Sequence, residues 1–310
     1  MNRQFLLIPA LICFVASAQT TPFALQIRNA SLAGDFATVR QVLAQARTAM
    51  GTTPQYIEAL SWLGRGYLNA KDFNAADQNA EEVRKLCLEQ LTHRKLDAEP
   101  ALPLALGASI EIHATVAAAQ GRRDESVVFL REEAKRWYAT SLRARIQKNL
   151  NLLTLEGKPA PPLEVTHAVT SRKLETLEQH RGHPVLLFFW AHWCSDCKNE
   201  IAIIARLEKQ YGLRGLAVIA PTQHYGYVAG GKDAPPAVET NYIKSVYAEY
   251  YAGLGNVETP LSEENFASYG VSTTPTIVLI DAHGIVRLYN PGAIGYDQLA
   301  ARVESVLHGV

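Results

Sequence analysis

Two cysteines two residues apart, Cys194 and Cys197, follow closely on the apolar run Val185-Leu186-Leu187-Phe188-Phe189. A run this apolar and aromatic predicts a buried strand. Beyond the cysteines, Ile201, Ile204, Ala205 and Leu207 recur at helical spacing and predict a helix over Cys197–Tyr211. The pair therefore falls where a strand gives way to a helix N-terminus. There the helix dipole and the unpaired backbone N–H groups favour negative charge. A thiol at such a place loses its proton more easily, and the thiolate is the reactive form. The spacing also lets the two sulfurs close on each other, so the site can cycle between dithiol and disulfide.

The rest of the chain divides around Gly157-Lys158-Pro159-Ala160-Pro161-Pro162, a turn- and proline-rich break. After it, strand and helix patterns alternate. Strands are predicted at Leu163–Val169, Val185–Phe189, Leu216–Ile219, Thr276–Ile280 and Ile285–Leu288. Helices are predicted at Cys197–Tyr211, Val238–Tyr251, Leu261–Tyr269 and Gly295–Leu307. The last two strands are joined by the hairpin turn Asp281-Ala282-His283-Gly284. Before the break, residues 22–155 are rich in alanine, leucine and charge and predict an all-helical domain. Gly34-Asp35, Lys71-Asp72 and Gly121-Arg122-Arg123-Asp124 mark tight turns between helices. Within Pro54–Leu86, Leu63-Gly64 followed by Tyr67 and Ala76 fits a tetratricopeptide-like hairpin, and about three such hairpins form a short array. Such an array either offers a face to a peptide or protein partner, or simply packs on the second domain or supports a dimer.

The first eighteen residues predict a secretory signal: Arg3, an apolar Phe5–Val15, then Ala16-Ser17-Ala18. No later stretch is expected to span a membrane, which places the chain in the periplasm or otherwise exported and soluble. Lys plus Arg and Asp plus Glu balance at 30 each, which argues against a nucleic-acid binder. Of four cysteines, Cys13 falls in the signal. Cys87 shares a helical stripe with Ala76, Ala80 and Val83 and is expected to be a buried structural thiol. No second Cys-x-x-Cys or Cys-x-x-His pair completes a zinc tetrahedron, so no metal is expected.

Several motifs in order carry a resemblance. They are Gly157-Lys158-Pro159-Ala160-Pro161, then Arg181-Gly182-His183-Pro184 running into Val185–Trp190, then Trp193-Cys194 with Cys197. Tyr269-Gly270-Val271-Ser272-Thr273-Thr274-Pro275-Thr276 and Leu279-Ile280-Asp281 follow. Residues 157–310 resemble the TlpA/ResA-type thiol–disulfide oxidoreductases, an exported group of thioredoxin fold. The resemblance implies an α/β thioredoxin-like domain behind the all-α domain. It implies Cys194 as the attacking cysteine, Cys197 as the resolving one, and Thr274-Pro275 as the cis-proline loop facing them. Trp193 and Thr274 would then flank the client. Glu200, three residues past Cys197, matches a glutamate of this group and would accept the Cys197 proton; its other reading is an exposed glutamate complementing the helix dipole. The buried aspartate of thioredoxin itself has Phe188 in its place. No cofactor is implied beyond the Cys194–Cys197 disulfide. The implied partners are a protein disulfide or dithiol client and a membrane thiol electron donor.

The Ser195-Asp196 dipeptide puts a carboxylate beside the sulfurs. Added negative charge favours the disulfide over the dithiolate, which points to a reductase. Two rivals stay open: a peroxidase on the same fold, which would want a threonine where Ala191 stands, and a helical scaffold with a secondary redox domain. The segment from Ala220 to Pro260 holds Tyr225, Tyr227, Tyr242, Tyr247, Tyr250 and Tyr251. It is either a rim that selects clients or a helix packed on the sheet, the second being preferred. His183 and His192 flank the strand and are expected to be incidental.

Overall fold

The computed structural model describes residues 22–255 and 257–308. The predicted signal and Cys13 lie outside the described residues. Seven helices come first: α1 (Pro22–Leu32), α2 (Phe36–Met50), α3 (Pro54–Asn69), α4 (Phe73–Gln90), α5 (Ala101–Ala119), α6 (Arg123–Arg136) and α7 (Arg143–Thr154). The turns fall where expected. Gly34, Lys71 and Gly121 take positive φ, and after the first two an aspartate caps the next helix: Asp35 accepts the Thr38 N–H and Asp72 the Ala75 N–H. Helices α1, α3, α5 and α7 pack in succession, and α2, α4 and α6 lie against their chain neighbours. Close approach needs small residues. A Cβ on Gly64 would strike the Asn79 side chain, and one on Gly66 would come within 2.7 Å of the Ser31 carbonyl.

Helix α5 corrects one expectation, because it is long and apolar enough to cross a membrane by length and composition. Its apolar residues, Leu102, Leu106 and Ile110 among them, are instead buried in the core of the helical array. The stripe that carries Cys87 is also buried, and burial pushes that thiol up to about 12.

The second half is a four-stranded sheet in the order β2-β1-β5-β6, made of β1 (Val185–Phe189), β2 (Ala217–Ile219), β5 (Thr276–Ile280) and β6 (Val286–Pro291). β1 and β2 are parallel and joined by α8 (Ser195–Tyr211); β5 is antiparallel to β1 and to β6. Asp281 ties the β5–β6 turn, its carboxylate accepting the N–H groups of His283 and Ile285. Alternation along β1 divides the core. Leu186 and Phe188 join Ile204 of α8 and Leu299 and Val303 of α11 (Tyr296–Leu307) on one face. Val185, Leu187 and Phe189 meet Phe266 of α10 (Glu263–Ser268), Tyr269 and Leu155 on the other. Between β2 and α10 lie a small hairpin, β3 (Tyr227–Val228) with β4 (Lys232–Asp233), and α9 (Pro236–Tyr250).

Leu163–Val169 is not a strand. Its alternation is real, but its pairing stops at one isolated bridge, Ala168 with Pro260, closed by the Val169 N–H on the Thr259 carbonyl and the Leu261 N–H on the His167 carbonyl.

The two halves meet through α7. Arg143 makes a two-pronged pair with Glu264 at 2.6 and 2.8 Å, and the Asn151 amide donates to the Tyr269 carbonyl. Gly270, at φ +66°, passes so close to α7 that a Cβ would lie 2.7 Å from Lys148 Cα.

Candidate active site

The chain leaves β1 through a turn whose side chains are fixed one by one. The Trp190 indole is buried and donates to the Ala220 carbonyl at 3.0 Å, while Thr222 donates to the Trp190 carbonyl. Trp193, by contrast, is 50% exposed. Cys194 is the N-cap of α8, and its sulfur accepts the Cys197 N–H at 3.0 Å. Cys194 and Cys197 form a closed disulfide with Cα atoms 5.3 Å apart. Cys197 is fully buried and Cys194 only 3% exposed, so what little of the pair reaches solvent belongs to Cys194. In the dithiol form the same N–H and the helix N-terminus would stabilise a Cys194 thiolate. Ser195 and Asp196 are exposed on the first turn.

The β1–β5 register pairs Phe189 with Thr276. Pro275, one residue before, therefore stands level with the chain as it turns toward Cys194, and the Thr274–Pro275 bond is cis. Proline presents no N–H there. Thr274 is half-buried, its hydroxyl enclosed without a hydrogen-bond partner. Thr273 is exposed.

Glu200 is not the exposed first-turn glutamate of the alternative reading. It lies one turn beyond Cys197 on the same helix face, is 4% exposed, and accepts the Ile294 N–H at 3.0 Å. Burial raises its pKa above the ordinary carboxylate value, and the Ile294 hydrogen bond opposes that only in part. A carboxyl so buried holds its proton more readily than an exposed one.

The structure overturns the reading of His192 as incidental. Its side chain is 1% exposed and lies 3.2 Å from Glu239 on α9, whose side chain is equally buried. Burial lowers the His192 pKa, against the pull of Glu239. The carboxylate also accepts the N–H groups of Tyr225 and Gly226 at 2.6 and 2.9 Å. Sequence reasoning missed this pair because its members stand far apart in the chain and Glu239 looks like any acidic residue in a helix's first turn. Helix α9 itself packs as preferred, with Ile243, Val246 and Tyr247 in the core. His183 has a different place, its ring 3.1 Å from where a Cβ on Gly215 would stand.

One group could hold a metal ion among the described residues: Glu175, His180 and Glu258, with donor atoms within 4.8 Å of one another. Glu258 accepts the Glu175 N–H, and its carboxylate, 3.1 Å from His180 Nε2, raises the histidine pKa.

A buried Cys-x-x-Cys disulfide capping a helix after a central strand, level with a cis-proline, defines a thioredoxin-type redox site. Residues 171–307 match the family model of the thioredoxin-like domain. The chain is similar to thiol-disulfide oxidoreductase ResA of Bacillus thuringiensis, 29% identical over 130 residues, 42% of this chain and 66% of that protein. It is also similar to the thiol:disulfide interchange protein DsbE of Xylella fastidiosa, 25% identical over 155 residues, 49% of this chain and 70% of that one. Among solved structures, the exposed lipoprotein thioredoxin Etrx1 of Streptococcus pneumoniae aligns with 46% of this chain and 99% of its own, at 24% identity and a TM-score of 0.37. The chain thus spans just under two thirds of the length of the ResA proteins it matches.

Proposed function

We propose that this chain is an exported thiol–disulfide oxidoreductase that reduces protein disulfides. The observation that carries the reading is the Cys194–Cys197 disulfide at the mouth of α8, with the Cys197 N–H on the Cys194 sulfur. As a dithiol, the Cys194 thiolate attacks one sulfur of a client disulfide. A mixed disulfide forms and one client thiolate leaves. Cys197 then gives its proton to Glu200 and attacks the Cys194 sulfur, which closes the Cys194–Cys197 bond and releases the second client thiolate. Client disulfide and protein dithiol become client dithiol and protein disulfide, a two-electron exchange. A membrane dithiol donor reverses it on the enzyme. The exposed carboxylate of Asp196 favours the reducing direction, because it disfavours two thiolates more than one disulfide.

Pro275 and Thr274 offer backbone to an extended client chain, much as a strand edge does, and Trp193 offers it an apolar face. We assign the helical half, as a tetratricopeptide-like array, the task of holding a protein partner. What supports this is a groove of about 640 Å³ between α4 and α6, lined by Arg84, Lys85, Leu88, His113 and Phe129. The export signal is assigned to residues 1–18 on their sequence pattern alone.

The test is insulin reduction with a dithiol as electron source. Cys194→Ser is expected to abolish turnover, and Cys197→Ala to accumulate a mixed disulfide visible as an adduct by intact mass. Undiminished turnover in Cys194→Ser ends this reading. Consumption of peroxide by a variant with a single cysteine would favour the peroxidase instead.

A further inference from the structure

Helix α9 and the hairpin before it are more than the sheet needs, and both reach the redox turn at His192. His192 lies two residues before Cys194, inside the strand-to-helix turn. Glu239 lies at the start of α9. Between them stands a nearly dry contact at 3.2 Å, both side chains 1% exposed. The remaining capacity of the Glu239 carboxylate is spent on the Tyr225 and Gly226 N–H groups, where the chain bends into the β3–β4 hairpin with Gly226 at φ +82°. One carboxylate therefore joins three separate pieces of chain: the Cys194 turn, the entry to the insertion, and α9.

The histidine ring adds packing to the hydrogen bond. It meets Tyr225, Tyr227 and Tyr242 edge-on, with centroids 5.2 to 5.4 Å apart. Tyr225 in turn meets Trp193 edge-on at 5.5 Å. The half-exposed Trp193, the residue directly before Cys194, is thus braced from behind by a ring that the His192–Glu239 contact holds in place.

We infer that His192 and Glu239 are positioning residues that set client preference: they hold the insertion so that Trp193 and Tyr225 form a fixed aromatic wall beside Cys194, suited to disulfides flanked by an aromatic residue. The inference rests on the thiol–disulfide reading above and adds the client class. An aromatic neighbour of the client half-cystine can lie against the Trp193 face, whereas a serine there gains nothing from it. One such contact is worth about tenfold in rate. A buried His–Glu contact suits this task because it fixes one arrangement of the pieces it joins, where apolar packing alone would tolerate several.

The experiment uses the full chain, pre-reduced, in single-turnover reaction with two disulfide peptides that differ only in a Phe or a Ser next to the half-cystine. Wild type is expected to react about tenfold faster with the Phe peptide. In His192→Ala and in Glu239→Gln that ratio is expected to fall to about one to two, while His192→Gln, whose amide N–H can stand where Nε2 does, retains most of it. Trp193→Ala, at an exposed position, is expected to lose the ratio with the fold intact, which guards against variants that fail to fold. A wild-type ratio of one, or a ratio unchanged in Trp193→Ala or in folded His192→Ala, overturns the inference alone. No reaction of wild type with either peptide would overturn the thiol–disulfide reading beneath it.

Discussion

Each half of this molecule draws a carboxylate out of bulk solvent, half-buried in one and buried in the other, and the two are treated in opposite ways. In the helical half, Glu111 on α5 takes hydrogen bonds from Arg145 and Lys148 of α7 at 2.6 to 3.0 Å. Burial alone would raise its pKa, but the two cations outweigh that and hold it at about 2. Glu133 is likewise kept low, against its burial, by Arg84 and the Trp137 indole. In the sheet half, Glu200 has only a backbone N–H to oppose its burial, and its pKa moves up. A charge held by cations fastens helices together. A carboxyl left without them is poised to exchange a proton, and this one lies a helical turn from a redox-active cysteine. The contrast separates carboxylates pinned by cations from one that is left without them.

Breaking the seam between the halves should have the largest effect. Gly270→Ala places a methyl against the α7 backbone at a residue with φ +66°, and neither partner is a flexible side chain. It is expected to cost about 3 kcal/mol, read as a lower urea midpoint. A cost below about 0.5 kcal/mol would mean that the α7 contact is dispensable.

The contrast between the carboxylates is sharpened by removing each charge. Glu111→Gln leaves Arg145 and Lys148 without their shared partner and is expected to destabilise by about 2 kcal/mol at neutral pH, less than a fully buried pair because these side chains are partly exposed. The sign of the pH dependence follows from the depressed value. The stabilisation from Glu111 is present above the ordinary carboxylate pKa of 4.5 and is lost as pH falls toward about 2. The variant should therefore show a flatter acid limb in urea titrations.

Glu200→Gln is expected to do the reverse. A carboxyl whose pKa is raised on folding costs stability progressively as pH climbs from its ordinary value through the folded one. The amide removes that cost, so the variant should be more stable at neutral pH, read as a higher urea midpoint, yet slower in resolving the mixed disulfide, by at least about tenfold. Equal or lower stability together with wild-type resolution would make Glu200 a structural residue like Glu111.

Much of the sheet half was legible in the chain. Val185–Phe189 and Thr276–Ile280 lie between neighbouring strands, and a strand buried on both faces leaves an unbroken apolar run. The helical turns were legible because a residue able to take positive φ followed by a capping aspartate is a local signal. Leu163–Val169 misled because alternation reports one buried side, and here Leu163 is buried without a partner strand. The Cys194–Cys197 site was legible from its spacing and its place after a strand. What surrounds it was not. The burial of Glu200 depends on Ile294, and the contact of His192 depends on Glu239; both partners arrive from distant parts of the chain. No local pattern marks such pairs.

An equilibrium redox titration of the full chain against glutathione, with alkylation and mass mapping of Cys194 and Cys197, tests the central claim most directly. The account predicts that both thiols appear and disappear together in one two-electron transition, at a reducing potential in the range of thioredoxin, about −270 mV. Cysteines that never exchange, or a transition near the strongly oxidising range of about −120 mV, would contradict it.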